Sequence, residues 1–173
     1  MLSYNVSGLL KSEPGAQRVF EVEADITGID RDLVLLTPLT GRIRLIKTDR
    51  GILVTGRLHT EAYVACRRCL EPTAAGLEIE LEEQFWPSID VDTGAPIAAD
   101  DGEEDVTRID EHHILDLTEV VRQNLLLALP TSPLCRADCR GLCPTCGANL
   151  NEEPCSCQRK EEDPRLAVLR ELL

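Results

Sequence analysis

The residues best equipped for chemistry in this chain are cysteines. Cys135, Cys139, Cys143, Cys146, Cys155 and Cys157 follow the spacing C-x3-C-x3-C-x2-C-x8-C-x-C, six thiols within 23 residues. The central run Cys143-Pro144-Thr145-Cys146-Gly147 has the form of a zinc knuckle. Two thiolates two residues apart grip one ion because the turn between them aims both sulfurs inward. Gly147 is expected to let the backbone pass close to the metal. A second pair must complete the tetrahedron. Cys155 and Cys157 are the preferred pair, with Asn149-Leu150-Asn151 forming the turn between them and the knuckle, and Cys135 and Cys139 are the alternative. The segment has little apolar content, so a bound Zn2+ would supply its folding energy. Thiol–disulfide exchange is the competing chemistry for C-x-x-C, but the βαβ setting it usually comes with is absent.

A separate pair, Cys66-Arg67-Arg68-Cys69, lies at an expected strand end. Eight cysteines suffice for two four-cysteine sites. Cys66 and Cys69 would join Cys135 and Cys139 in a second zinc site, or remain a reduced thiol pair at a hairpin end.

Basic residues gather between Gly41 and Cys69: Arg42, Arg44, Lys47, Arg50, Arg57, Arg67 and Arg68, against only Asp49 and Glu61. With a turn at Thr48–Gly51, Arg42 is expected opposite Arg57, with Arg44 on the same face. Like charges across a ladder cost stability. Arg42, Arg44, Arg57, Arg67 and Arg68 are therefore candidate contacts for RNA phosphates, or an ordinary solvated face partly neutralised by the acidic linker that follows. His112 and His113 flank a helix start and read as exposed. No Ser-His-Asp or Cys-His arrangement, paired catalytic carboxylates or phosphate-cradling glycine loop can be assembled, so no catalytic residues are assigned.

These residues need elements to position them, and the expected class is α+β. Residues 1–88 read as an antiparallel β-sheet or small barrel. Phe20–Ile26 and Leu77–Glu82 alternate apolar and polar residues with period two, and Thr48-Asp49-Arg50-Gly51 is a hairpin turn. Residues 89–113, dense in Asp and Glu and including Asp100, Asp101, Glu103, Glu104 and Asp105, read as an acidic linker. Residues 114–173 carry a helix, the cysteine tail and a short docking helix. Asp116 and Glu119 suit a capping box, Leu117, Val120, Val121, Leu125 and Ala128 form a stripe, and Pro130 ends the helix. Asp163-Pro164-Arg165 opens the last helix, with Leu166, Leu169 and Leu173 as its apolar face.

The net charge of −13 argues against a chain that coats nucleic acid through bulk charge, although a local basic face is compatible with it. Aromatic residues make up only 3%, so base-stacking platforms are few and the core must be aliphatic. The start, Met1–Asn5, has no signal-peptide pattern, and no apolar run is long enough to span a bilayer. The expectation is a soluble, cytoplasmic protein without membrane contact.

Three blocks resemble the bacterial large ribosomal RNA subunit accumulation protein family, YceD. They are Cys66-Arg67-Arg68-Cys69-Leu70, near the family's C-x-R-C; Leu129–Cys135 running into Cys139–Asn151 and Cys155-Ser156-Cys157; and Asp163-Pro164-Arg165-Leu166 followed by Leu169. Their order and spacing cover nearly the whole chain. The resemblance implies a non-enzymatic role in accumulation of the large-subunit ribosomal RNA or its precursor, through processing, stability or subunit assembly. It also implies that zinc is scaffolding for the tail. The alternative class is a protein-only adaptor that captures a basic ribosomal protein through the acidic residues Asp100–Asp105. A nuclease or thiol oxidoreductase is the third class, and no site for either can be placed.

Overall fold

A computed structural model describes residues 2–98 and 105–157. The expected docking helix at 163–173 and the acidic centre of the linker, Asp100–Glu104, lie outside the described residues. The chain divides into two compact units, each discontinuous in sequence: Met1–Val64 with Ala74–Thr131, and Ala65–Thr73 with Ser132–Leu173. The sequence reading drew its boundaries along the chain, at 88 and 113.

The first unit is mostly sheet. Its elements are β1 (Ser3–Asn5), α1 (Ser7–Leu10), β2 (Gln17–Ala24), β3 (Val34–Leu35), β4 (Leu39–Lys47), most of β5 (Ile52–Ala65) and β6 (Pro72–Pro87), a 3-10 turn (Asp105–Thr107), β7 (Arg108–Ile109), β8 (Ile114–Asp116) and α2 (Thr118–Ala128). Six strands form one sheet in the order β2-β4-β5-β6-β7, with β3 also paired to β5, and β1 pairs with β8 in a separate two-stranded sheet. The β2/β4, β3/β5 and β4/β5 pairs are antiparallel. β7 instead joins β6 in parallel.

Period-two alternation sorts the strands' side chains as expected. Val22, Ala24 and Ile26 are buried while Glu21, Glu23 and Asp25 are exposed; Leu77, Ile79 and Leu81 are buried while Glu78, Glu80 and Glu82 are exposed. The core they enter is aliphatic, filled by Leu39, Ile43, Leu45, Ile52, Val54 and Leu58, with Phe85 as its one fully buried aromatic among the described residues. The turn between β4 and β5 runs Thr48–Gly51, with the Thr48 N–H donating to the Gly51 carbonyl at 3.0 Å. Glycine is required at position 51 because a Cβ there would lie 2.0 Å from the Phe85 carbonyl oxygen.

Two local expectations are corrected. Asp116, two residues before α2, accepts hydrogen bonds at Oδ1 from the Thr118 N–H and Oγ1 at 2.9 and 2.6 Å, while the cap position itself is Leu117, with no side-chain cap. Glu119 does not close a capping box; it turns to Arg122 and Gln123 instead. A bidentate guanidinium partner one turn along the helix outcompetes a single backbone N–H. Residues 1–88 also include a helix, α1, which buries Leu9 and Leu10. The stripe Leu117, Val120, Val121 and Leu125 is buried, and the helix stops as Leu129 turns extended ahead of Pro130. The span 89–113 is structured where it is described: Ile89 bridges Pro96, and Ile109 in β7 is fully buried. No helix among the described residues is long and apolar enough to cross a membrane.

Candidate metal centre

Among the described residues, the second unit has almost no apolar interior. Cys66, Cys69 and Cys139 form its small buried cluster, with Leu134 and Leu142 packed against them. Local turns bring the cysteines in. The Cys66–Cys69 turn closes when the Leu70 N–H donates to the Cys66 carbonyl and the Cys66 N–H to the Glu71 carbonyl, both at 2.9 Å. The Arg67 N–H donates to the Pro133 carbonyl at 2.9 Å, and the Arg67 guanidinium to Ser132 Oγ at 2.6 Å, which brings the stretch before Cys135 alongside. The Arg68 guanidinium donates to the Cys139 carbonyl at 2.8 Å. Gly141 then passes so close to Arg68 that a Cβ would lie 2.9 Å from its carbonyl oxygen, at a φ of +75° that also suits glycine.

The eight cysteines gather into two groups of four. Cys66, Cys69, Cys135 and Cys139 form one, and Cys143, Cys146, Cys155 and Cys157 the other, with all sulfurs in each group within 4.8 Å of one another. Cys135 and Cys139 thus face Cys66 and Cys69, not the Cys143–Cys146 knuckle. In the first group, Cys66 and Cys139 have their sulfurs 3.8 Å apart and Cys69 and Cys135 3.6 Å apart. Both separations exceed a disulfide bond of about 2.05 Å. They match the spacing of about 3.8 Å that four sulfurs adopt around an ion at tetrahedral bonds of about 2.3 Å. Either group could hold a metal ion. Gly147 has open space where a Cβ would sit, so its role is the positive φ of +75° and not the close approach expected from sequence.

The backbone prepares each group for anionic sulfur. N–H groups of Cys69 and Arg68 aimed at Cys66 bring its thiol down to about 6. N–H groups of Cys146 and Thr145 do the same for Cys143, also to about 6, with Thr145 N 3.4 Å from the sulfur. Cys135 is pushed up to about 12 by burial and then by the neighbouring sulfurs. Cys157 is pushed up to about 12 by its bond to Cys146, then by burial and the charges of Cys146 and Cys143. The first thiolate in each group forms readily and the last does not, because negative charge accumulates in one small volume. A cation relieves that repulsion and displaces the remaining protons. Asn151, from the loop between Cys146 and Cys155, donates to Cys139 Sγ at 3.3 Å while its Oδ1 accepts the Arg140 N–H at 2.8 Å. Its contact with the first group spans elements that meet only in the fold.

The candidate RNA contacts are scattered. Arg42 sits directly opposite Arg57, as the turn implied. Each is engaged by a carboxylate: Arg42 by Glu21 at 2.6 Å and Arg57 by Glu80 at 3.1 Å. Sequence reasoning missed both acids, since Glu21 faces Arg42 only through the β2/β4 register. Arg44 is exposed across from Thr55. Arg67 and Arg68 belong to the cysteine unit. His112 is exposed beside Glu111, and no histidine joins either cysteine group among the described residues.

The uncharacterized protein Rv2926c of Mycobacterium tuberculosis is 36% identical over 132 residues, covering 76% of this chain and 60% of its own length. The large ribosomal RNA subunit accumulation protein YCED homolog 1, chloroplastic, of Arabidopsis thaliana is 26% identical over 176 residues, covering 90% of this chain and 55% of its own. The uncharacterized protein YlbN of Bacillus subtilis is 25% identical over 153 residues, covering 86% and 82%. The chain thus spans about 60% of the mycobacterial relative's length. No solved structure matches. The family model described as large ribosomal RNA subunit accumulation protein YceD matches residues 54–173, a stretch that holds all eight cysteines and more than half of the chain, and the chain belongs to that family.

Proposed function

We propose that this chain is a non-enzymatic factor supporting accumulation of large-subunit ribosomal RNA, through processing, stability or assembly, with a structural zinc ion in each cysteine group. The observation that carries the reading is the match across residues 54–173 to a family named for accumulation of that RNA. Zinc is supported by the donor sets, four cysteine sulfurs within 4.8 Å of one another in each group, which suit a soft or borderline metal and not an oxygen-seeking one. Four protein ligands complete the coordination and leave no position for a substrate, the pattern of structural sites. Cys143, Cys146, Cys155 and Cys157 would hold one ion, and Cys66, Cys69, Cys135 and Cys139 the other. The work belongs in the cytoplasm, where unassembled ribosomal RNA is met.

In this reading arginines contact phosphate: Arg42, Arg44 and Arg57 on the sheet, and Arg67 and Arg68 at the cysteine unit. Affinity for a large-subunit ribosomal RNA transcript should fall steeply with salt, and should weaken in the Arg42→Ala/Arg44→Ala/Arg57→Ala triple variant. Unchanged binding in that variant removes the sheet from the interface. A protein-only adaptor is the second reading. It is favoured by Glu21 and Glu80, which already occupy Arg42 and Arg57, and by the net charge of −13, which suits a basic ribosomal protein. Affinity capture with and without nuclease separates the two, because an adaptor keeps its partner after the RNA is destroyed.

A further inference from the structure

The two C-x-x-C turns share a closing hydrogen bond and a left-handed residue after the second cysteine, glycine in one and leucine in the other. In the second, the Gly147 N–H donates to the Cys143 carbonyl at 2.9 Å and Gly147 sits at φ +75°. In the first, the Leu70 N–H donates to the Cys66 carbonyl at 2.9 Å and Leu70 sits at φ +62°. This left-handed region is costly for a residue with a Cβ and free for glycine. Leucine does not offset the cost by packing, because it is 64% exposed. A strained apolar residue held outside any core points to use by a partner.

Its surroundings say which partner. Arg67 and Arg68 lie between the two cysteines, and both are exposed. Arg140 is brought near, since the Leu142 N–H donates to the Arg68 carbonyl at 3.0 Å and Gly141 closes on the same residue. Among the described residues, Arg67, Arg68 and Arg140 enter no ion pair, while Arg136 lies 3.5 Å from Asp138, and Arg42 and Arg57 on the sheet are held by Glu21 and Glu80. Glu71, next to Leu70, is the adjacent acid and is exposed.

We propose that the knuckle tip, Arg67, Arg68 and Leu70 together with Arg140, is a contact surface for unpaired RNA. The guanidiniums take phosphates, and Leu70 packs on the open face of a base. A duplex hides its base faces by stacking, so the apolar tip selects single-stranded segments. This inference rests on the RNA reading above.

The test compares the full-length zinc-loaded protein with the Leu70→Gly, Leu70→Asn and Arg140→Ala variants. Binding is measured to mixed-sequence single-stranded RNA, to the same RNA as a duplex, and to a large-subunit ribosomal RNA transcript. Glycine and asparagine both tolerate the left-handed backbone, so each variant should keep its zinc and melt no lower than the parent. Each should lose about five- to tenfold in affinity for single strands, through lost apolar contact, and little for duplex. Arg140→Ala should reduce the salt slope for single strands by about 0.7. If the parent binds no RNA, the RNA reading itself fails. If the parent binds and the Leu70 variants bind equally well, the knuckle tip is overturned while the RNA reading stands. Loss of zinc in Leu70→Gly also overturns the inference, since it would make Leu70 a structural residue of the turn.

Discussion

Chelating the metal should unfold the cysteine unit and spare the sheet. The expectation comes from what each unit buries. In the cysteine unit the buried side chains among the described residues are Cys66, Cys69, Cys139 and Cys143, with Leu134 and Leu142 half-buried against them. Two half-buried leucines contribute at most about 3 kcal/mol. A thiolate-bound structural zinc contributes about 10–16 kcal/mol at neutral pH, at or above the whole stability of a typical domain, about 5–15 kcal/mol. Without metal the described part of the unit therefore has too little buried apolar surface to stay folded. The sheet unit keeps its own aliphatic core. Hydrogen exchange read by mass spectrometry, before and after chelation, tests this residue by residue. The amides of Leu70, Leu142, Cys143, Gly147 and Leu150, each hydrogen-bonded within the cysteine unit, should lose protection, while those of β4 and α2 should keep it. Native mass spectrometry should find two zinc ions per chain, and one in either Cys139→Ser or Cys143→Ser. Protected amides at Leu142–Leu150 in protein verified as metal-free would refute the reasoning.

Asn151→Ala removes the hydrogen bond to Cys139 Sγ and should weaken metal binding at the Cys66–Cys139 group about tenfold in competition with a chromophoric chelator. Gly51→Ala sets a Cβ 2.0 Å from the Phe85 carbonyl oxygen, and backbone cannot swing aside as a side chain can; urea unfolding should show a loss of about 2 kcal/mol or more. Arg122 and then Gln123 hold Glu119 down at about 2, against its ordinary 4.5. The unfolded chain therefore takes up that proton first as pH falls, so the contact's stabilisation is present above about pH 4.5 and is lost toward pH 2. The melting temperature of Glu119→Gln should lie below the parent's at pH 7 and converge on it near pH 2.

Much of the sheet was legible because its determinants are local. Alternation in Phe20–Ile26 and Leu77–Glu82 follows from the pleat, which sends successive side chains to opposite faces. The Thr48–Gly51 turn sets the β4/β5 register by counting alone, which is why Arg42 could be set against Arg57 from sequence. The parallel strand β7 was not legible, since two residues inside an acidic span carry no periodic signal. Glu119 followed its local pattern less closely, because the Arg122 guanidinium, itself held by the Asp30 carboxylate, takes the Glu119 carboxylate.

The cysteine centre divides in the same way. Sequence by itself determined that thiols two residues apart share a turn, that six cysteines within 23 residues can serve as metal ligands, and that Cys143, Cys146, Cys155 and Cys157 can meet without help from distant chain. Only the tertiary structure decided that Cys66 and Cys69 meet Cys135 and Cys139 across 66 to 73 residues. It alone turned Leu70 into the left-handed place that glycine fills in the other knuckle, and set Glu21 and Glu80 on the sheet arginines. The physical reason is range. Turn geometry and pleat act over a few bonds and leave their mark in spacing, whereas a long loop closes for an entropy that barely depends on its length, so spacing does not record which distant partners it brings together.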